Sequence, residues 1–220
     1  MPKIEELLDL SHSVAADLFS GKTYPWEVLD QITDYIRTLG ATLSAEEFDQ
    51  IGEDVWIAKD ATVFPSAYIG GPCIIDRGAE VRHGAFIRGS AIVGKGAVVG
   101  NSVELKNVVL FDGVQVPHYN YVGDSILGYK AHMGAGSITS NVKSDKSLVI
   151  VKGQDGLFET GRKKFGAILG DYVEIGCNSV LNPGTVIGRE SIVYPTSSVR
   201  GVIPSKHIFK KDTEMMPRRE

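Results

Sequence analysis

The chain has 220 residues, a formal net charge of −4 and only two cysteines. That length suits one sizeable domain with a small appendage. The acidic balance argues against a nucleic-acid partner, and no apolar run reaches the roughly 18 residues of a membrane span. The start, Met1-Pro2-Lys3-Ile4-Glu5-Glu6, lacks the apolar stretch of a signal peptide. Cys73 and Cys177 stand far apart with no C-x-x-C spacing. This excludes a disulfide framework and predicts a reducing compartment, the cytoplasm.

The first 40 residues are helical in pattern. Ile4, Leu7, Leu8, Val14, Ala15 and Leu18 recur at helical spacings, and Ser20-Gly21-Lys22 predicts a turn. Pro25 suits the first position of a second helix, where its missing N–H costs nothing. Trp26, Leu29, Ile32, Ile36 and Leu39 form that helix's apolar stripe, and Gly40 stops it. Ser44-x-x-Glu47 predicts a capping box for a short third turn. Two short helices cannot bury their own stripes, so they are expected to pack over one end of the domain formed by the rest of the chain, shielding its open strand edges.

From Ile51 the grammar changes. Ile51, Ile57, Val63, Ile69, Ile75, Val81, Ile87, Val93, Val99, Leu105 and Phe111 fall one every six residues. Small or β-branched partners (Val55, Ala61, Ala67, Cys73, Ala79 and their successors) sit between them. The beat returns at Leu169, Ile175, Leu181, Ile187, Val193 and Val199. A period of six matches neither a helix nor a hairpin meander. It is the hexapeptide repeat of a parallel β-helix, in which three short strands make one triangular coil and stacked coils share a core. The fold class is therefore all-β, with a helical segment over 1–48, the β-helix over 49–204 and a tail over 205–220.

The beat stumbles over "PHYNYVGDSILGYKAHMGAGSITSN", Pro117–Asn141, where one step is five residues. Hexapeptide proteins expel loops from coil corners. Polar groups that bind ligands or move protons must sit at such departures, because the walls are aliphatic.

The hexads of the "IVGKGAVVGNSVEL" type resemble the left-handed β-helix acyltransferases. The left hand comes from this resemblance, since the general crossover rule gives the right hand. "GNSVELKN", "HYNYVGDSILG", "MGAGSITSN" and "KFGAILGDYVEIG" are similar, in order, to the acetyltransferase domain of the bifunctional uridyltransferase/glucosamine-1-phosphate acetyltransferase and its archaeal relatives. The likeness runs from about Arg82 to Ile203. No Gly-rich phosphate loop or room for a nucleotidyltransferase fold is seen before the β-helix.

The resemblance implies acetyl transfer from acetyl-CoA to an amino-sugar 1-phosphate. It makes His118 the general base, and histidine's unperturbed pKa near 6.5 suits that task. The backbone N–H of Ala135 becomes the oxyanion donor. Arg88, Lys106 and Lys164 become phosphate or sugar contacts, and Tyr121 and Asn141 sugar contacts. Cys177 and Pro195 join Ala135 beside the coenzyme, with Lys210 and Lys211 near its phosphates. His132 stands where the family usually has an acceptor-binding asparagine. The stretch 142–163 is an insertion. Its Leu148–Val151 run, Gly-Gln-Asp-Gly turn and basic end suggest a hairpin arm. A homotrimer is implied, with Tyr119, Tyr129 and the arm as candidates for reaching a neighbour.

Three other functions fit the same residues. One is sugar O-acetylation. Another is a gamma-class carbonic anhydrase, which needs three histidines around zinc; His83 and His118 are close to two coils apart, but none follows His118 at short spacing. The last is a non-catalytic scaffold.

Overall fold

The structure, a computed structural model, describes all residues except 154–155, 212–213 and 218–220, and the side chains of 211, 214 and 216. Its body is a parallel β-helix. Strands Val55–Ala58, Cys73–Ile75 and Ala91–Val93 begin the first wall, Thr62–Val63 and Glu80–Val81 the second, Tyr68–Ile69 and Phe86–Ile87 the third. Each pairs in parallel with the strand one coil later, Val55 with Cys73 and Cys73 with Ala91. Val81, Ile87, Val93, Val99 and Leu105 point inward and are fully buried.

The register shows where the beat slips. Val93 pairs with Leu110 and Leu110 with Leu127, so the core step after Leu105 goes to Leu110 and not to Phe111. The same short step recurs from Val122 to Leu127, so there are two five-residue steps, the first a coil before the expected one. Both lie at the corner between third and first walls. Arg88-Gly89-Ser90 forms it in one coil, but only Lys106-Asn107 and Gly123-Asp124 form it in the next two. Asn107 and Asp124 hold left-handed backbone there, with φ of 54° and 48°. Phe111 is still buried, against Phe19 of the N-terminal segment, which is why its position looked regular.

The N-terminal segment departs from expectation in form and place. Its first stripe is not one helix. A single turn, Ile4–Leu7, is followed by 3₁₀ turns at Leu10–His12 and Ala16–Phe19. Asp9 accepts from the Ser11 N–H, and the Ser13 hydroxyl accepts from that of Ala15. Such local bonds compete with the helix. Pro25 opens a 3₁₀ turn, Pro25–Val28, and the longer helix runs over Ile32–Gly40. The capping box at Ser44 does not form, because Glu47 pairs with Arg77 at 2.6 Å.

The segment lies along the side of the prism, over the first wall, and not over its end. Trp56, Ile74, Ile92, Val109, Ile126, Ile168 and Val186 face outward from that wall in one register column, yet all are buried. The ring of Trp56 sits where a Cβ on Gly40 would be, so the close approach requires glycine. Asp171, 3% exposed, fastens the other edge. It accepts the N–H groups of Asp9 and Tyr129, at 2.8 and 2.9 Å. At the prism's end, Val63 is left 36% exposed. Only the first wall is extended there, by Phe48–Gly52 pairing antiparallel with Val55–Ala58. Ile51, on that added strand, is exposed and outside the core. At the other end His207–Lys211 pairs with the second wall, so the β-helix continues past residue 204.

The insertion is a hairpin, with Ile150–Gly153 antiparallel to Gly156–Glu159. Part of its expected Gly-Gln-Asp-Gly turn lies outside the described residues. It leaves after Asn141 and returns at Phe165, at the corner between third and first walls. Its Val149 and Val151 are fully buried in its own chain, and Phe158 meets Tyr24 edge-on at 6.0 Å. Arm and N-terminal segment thus share the covering of the first wall. Tyr129 is likewise engaged at home, stacked on His12 at 3.7 Å. Of the parts expected to reach a neighbour, Tyr119 and, on the arm, Val142, Leu148 and Leu157 remain exposed.

Candidate active site

Corner geometry decides what comes together. At the corner between second and third walls, successive coils are joined by backbone hydrogen bonds. Tyr119 N donates to Asn101 O, Gly136 N to His118 O, Asn178 N to Ala135 O and Thr196 N to Cys177 O, all at 2.8–3.0 Å. His118, Ala135, Cys177 and Pro195 therefore form one column, each on the next coil. Stacked strands lie about 4.8 Å apart, so His118 and Ala135 are near neighbours although 17 residues separate them in the chain. The His118 imidazole is exposed and makes no hydrogen bond within the described residues. The Ala135 N–H donates to no acceptor there either. Cys177 is exposed and Cys73 buried, so the two form no disulfide.

Asn120 was not anticipated from the sequence. It occupies the column of small partners between Val103 and Ser137 and is 2% exposed. Its side-chain amide donates to Gly134 O and Ser137 O, and its carbonyl accepts the His118 N–H at 3.1 Å. It pins the coil of His118 to the coil of Ala135. The signal was present, since an amide in an alanine column must be bonded.

The second group gathers at the other end of the third wall. Arg88, Lys106, Asn141 and Lys164 share the third–first corner, and Tyr121 lies on the wall between this corner and His118. Their centre is Asp124, 4% exposed, which the sequence reading also missed. It accepts from Asn107 at 2.9 Å, from Asn141, and from Lys106 at 3.4 Å. Asn141 also donates to the Tyr121 hydroxyl at 3.2 Å. Burial, with the nearby Asp124 charge adding to it, pushes the Tyr121 phenol above its ordinary range, so it stays a proton donor. Arg88 is bound to Glu104 at 2.8 Å.

His132 is not brought into either group. It stands on the outer face of the second wall, with Nδ1 2.7 Å from Glu174. Lys210 stands over the Tyr194 ring at 5.7 Å, and the Lys211 side chain is outside the described residues. Among the described residues no three His, Cys, Asp or Glu side chains could hold a metal ion. His83 lies in the His118 column two coils below, and its Nδ1 is 3.0 Å from the Ser66 hydroxyl. No helix among the described residues is long and apolar enough to cross a membrane.

Comparison with known proteins places this geometry in context. The family model of the GMPPB C-terminal domain matches residues 69–215. A bifunctional sugar-1-phosphate nucleotidylyltransferase/acetyltransferase of Sulfurisphaera tokodaii is 35% identical over 111 residues, 50% of this chain and 28% of the relative. The bifunctional protein GlmU of Methanococcus maripaludis is 32% identical over 192 residues, 86% of this chain and 46% of the relative. The chain thus spans less than half the length of these curated relatives. Among solved structures, the acetyltransferase domain of PglB from Neisseria gonorrhoeae is similar at 18% identity and a TM-score of 0.38, over 87% of this chain and 66% of that one.

Proposed function

The chain belongs to the family of the GMPPB C-terminal domain, and on that premise we propose that it is an acetyl-CoA-dependent acetyltransferase acting on an amino-sugar 1-phosphate. The observation that carries this is one wall with chemistry at both ends. The column His118–Ala135–Cys177–Pro195 edges it on one side, and the Tyr121–Asn141–Lys164 group lies at the other. Two of the curated relatives, by their names, join sugar-1-phosphate chemistry to acetyl transfer or are GlmU proteins.

In this reading acetyl-CoA is the acyl donor, a substrate lying along the corner column. Small residues at Ala135, Cys177 and Pro195 leave room for an extended chain there. Neutral His118 takes a proton from the acceptor amine as nitrogen bonds to the acetyl carbon. The Ala135 N–H, with no acceptor among the described residues, stabilises the oxygen that becomes negative. The carbon–sulfur bond then breaks, and His118 returns the proton to the leaving thiolate. Asn120 acts as a positioning residue, fixing the backbone of base and donor together.

The test is a thiol-release assay of acetyl-CoA against amino-sugar 1-phosphates, free amino sugars and hydroxyl-only sugar phosphates. Release with the amino-sugar 1-phosphate alone supports the proposal. Release with a hydroxyl acceptor would replace N- by O-acetylation. A separate expectation concerns the column. Cys177→Trp should weaken coenzyme-A binding in calorimetry by more than tenfold, while Cys177→Ser stays close to the unaltered chain. Equal affinities would remove the coenzyme from this corner.

The proposal includes a homotrimer in the cytoplasm. The first wall is covered by the chain itself. The other two remain open, and the third shows Tyr68 and Phe86 to solvent, in contact at 5.5 Å. Light scattering at micromolar concentration should give three times the chain mass, and a clean monomer would count against the assembly.

A further inference from the structure

The arm and the N-terminal segment meet over the third–first corner and form an open, solvent-facing pocket of about 350 Å³, lined by Leu29, Asp30, Asn107, Asp124 and the stretch from Thr160 to Lys164. Its wall is braced. The Thr160 hydroxyl donates to Val149 O, and Val149 N to Arg162 O at 2.7 Å. Gly161, with φ of 67°, turns the chain between them. Arg162 is mostly buried and donates to Asp30 at 2.8 Å and to Glu27 O at 3.3 Å. Asn107 donates to Leu29 O at 2.9 Å. The cavity therefore exists only because both additions to the prism are present.

The cations of this corner, of which Arg162, Lys163 and Lys164 line the pocket, divide cleanly. Arg88 is neutralised by Glu104, Lys106 by Asp124 and Arg162 by Asp30. Lys163 and Lys164 are exposed, and neither has a hydrogen-bond or ion-pair partner among the described residues. Two of the three cations that family resemblance assigns to the sugar phosphate are thus already occupied. The unmatched charge sits at the root of the arm. A phosphate monoester carries about −1.5 to −2 near neutrality. That matches two free ammonium groups, whereas a carboxylate would leave one unmatched.

We propose that this cavity is the anion subsite of the acceptor site. Lys163 and Lys164 hold a phosphate monoester, and the Asp30–Arg162 pair forms its rim. The N-terminal segment and the arm thereby set which acceptor enters. Lys163 and Asp30 become specificity-determining residues that the hexad pattern does not contain. The identity of the phosphate as the acceptor's rests on the acetyltransferase reading above; the subsite itself does not.

Calorimetry with inorganic phosphate and glucose 1-phosphate on the full chain tests the subsite without any turnover. Lys163→Gln should weaken both by roughly 10–100-fold, the loss of one charge-assisted contact. Added salt should weaken binding to the unaltered chain. Lys59→Gln, far from the cavity, should change nothing, and circular dichroism of all three proteins should agree. Equal affinity in Lys163→Gln, or no saturable phosphate binding by the unaltered chain, would overturn the proposal. If phosphate binds as expected but no thiol is released with any acceptor, the subsite stands and the acetyltransferase reading falls. If thiol is released and Lys163→Gln leaves the acceptor KM unchanged, the activity stands and the subsite falls.

Discussion

Replacing His118 with alanine should leave the prism folded and lower turnover by about 10²–10⁴-fold, the usual contribution of a positioned general base. The side chain is exposed and fills no core layer. Its backbone is held by others, since Asn120 accepts its N–H and Gly136 donates to its carbonyl. Removing the imidazole therefore breaks no bond that supports the corner. Coenzyme-A affinity should change little, because the rest of the column is untouched. A purely structural role would lower the melting temperature as well as the rate. An unchanged rate on a confirmed acceptor would remove His118 from the mechanism and favour the scaffold reading.

The β-helix was legible because its rule is severe. Each inward position meets the same position of the coils above and below, so Val81, Val99 and Val116 must all be aliphatic to fill one column. The slip at Leu110 was hidden by chemistry, not by a weak signal. Phe111 is apolar too, but it serves a different contact, with Phe19, and the beat runs on falsely through it. The residues of the corner column could be assigned by resemblance, and the register then showed why they meet. The cation pairings could not be read. Spacing places Arg88, Lys106 and Lys164 at one corner but does not say which side chain Glu104 or Asp124 takes. The placing of the N-terminal segment was readable in principle. Along the first wall, Ile74, Ile92, Ile126 and Ile168 are apolar at outward positions, where the second wall has Glu80, Gln115, His132 and Glu174. An apolar outward stripe on one wall of three calls for a cover on that side.

That stripe yields the second large expected effect. Ile92 faces away from the prism, so a simple inside–outside reading of the hexad would allow a charge there. In the structure it is fully buried beneath the Ile32–Gly40 helix, whose Ile32 and Ile36 are buried as well. Ile92→Asp would strand a carboxylate between two apolar surfaces. The chain can respond by keeping the charge buried, at a cost of several kcal/mol, or by releasing the segment and exposing the whole stripe. Either route removes about 4 kcal/mol or more, a large share of the 5–15 kcal/mol that ordinarily holds a domain together. Thr62→Asp, at the outward position of the second wall, should move stability by no more than about 0.5 kcal/mol, as for an ordinary surface change. Urea denaturation of the two variants separates the cases. Limited proteolysis should also cut Ile92→Asp early within residues 1–42 and spare Thr62→Asp. Equal midpoints would mean that the segment does not lie on the first wall, and that the cavity at Lys163 and Asp30 is not formed as described.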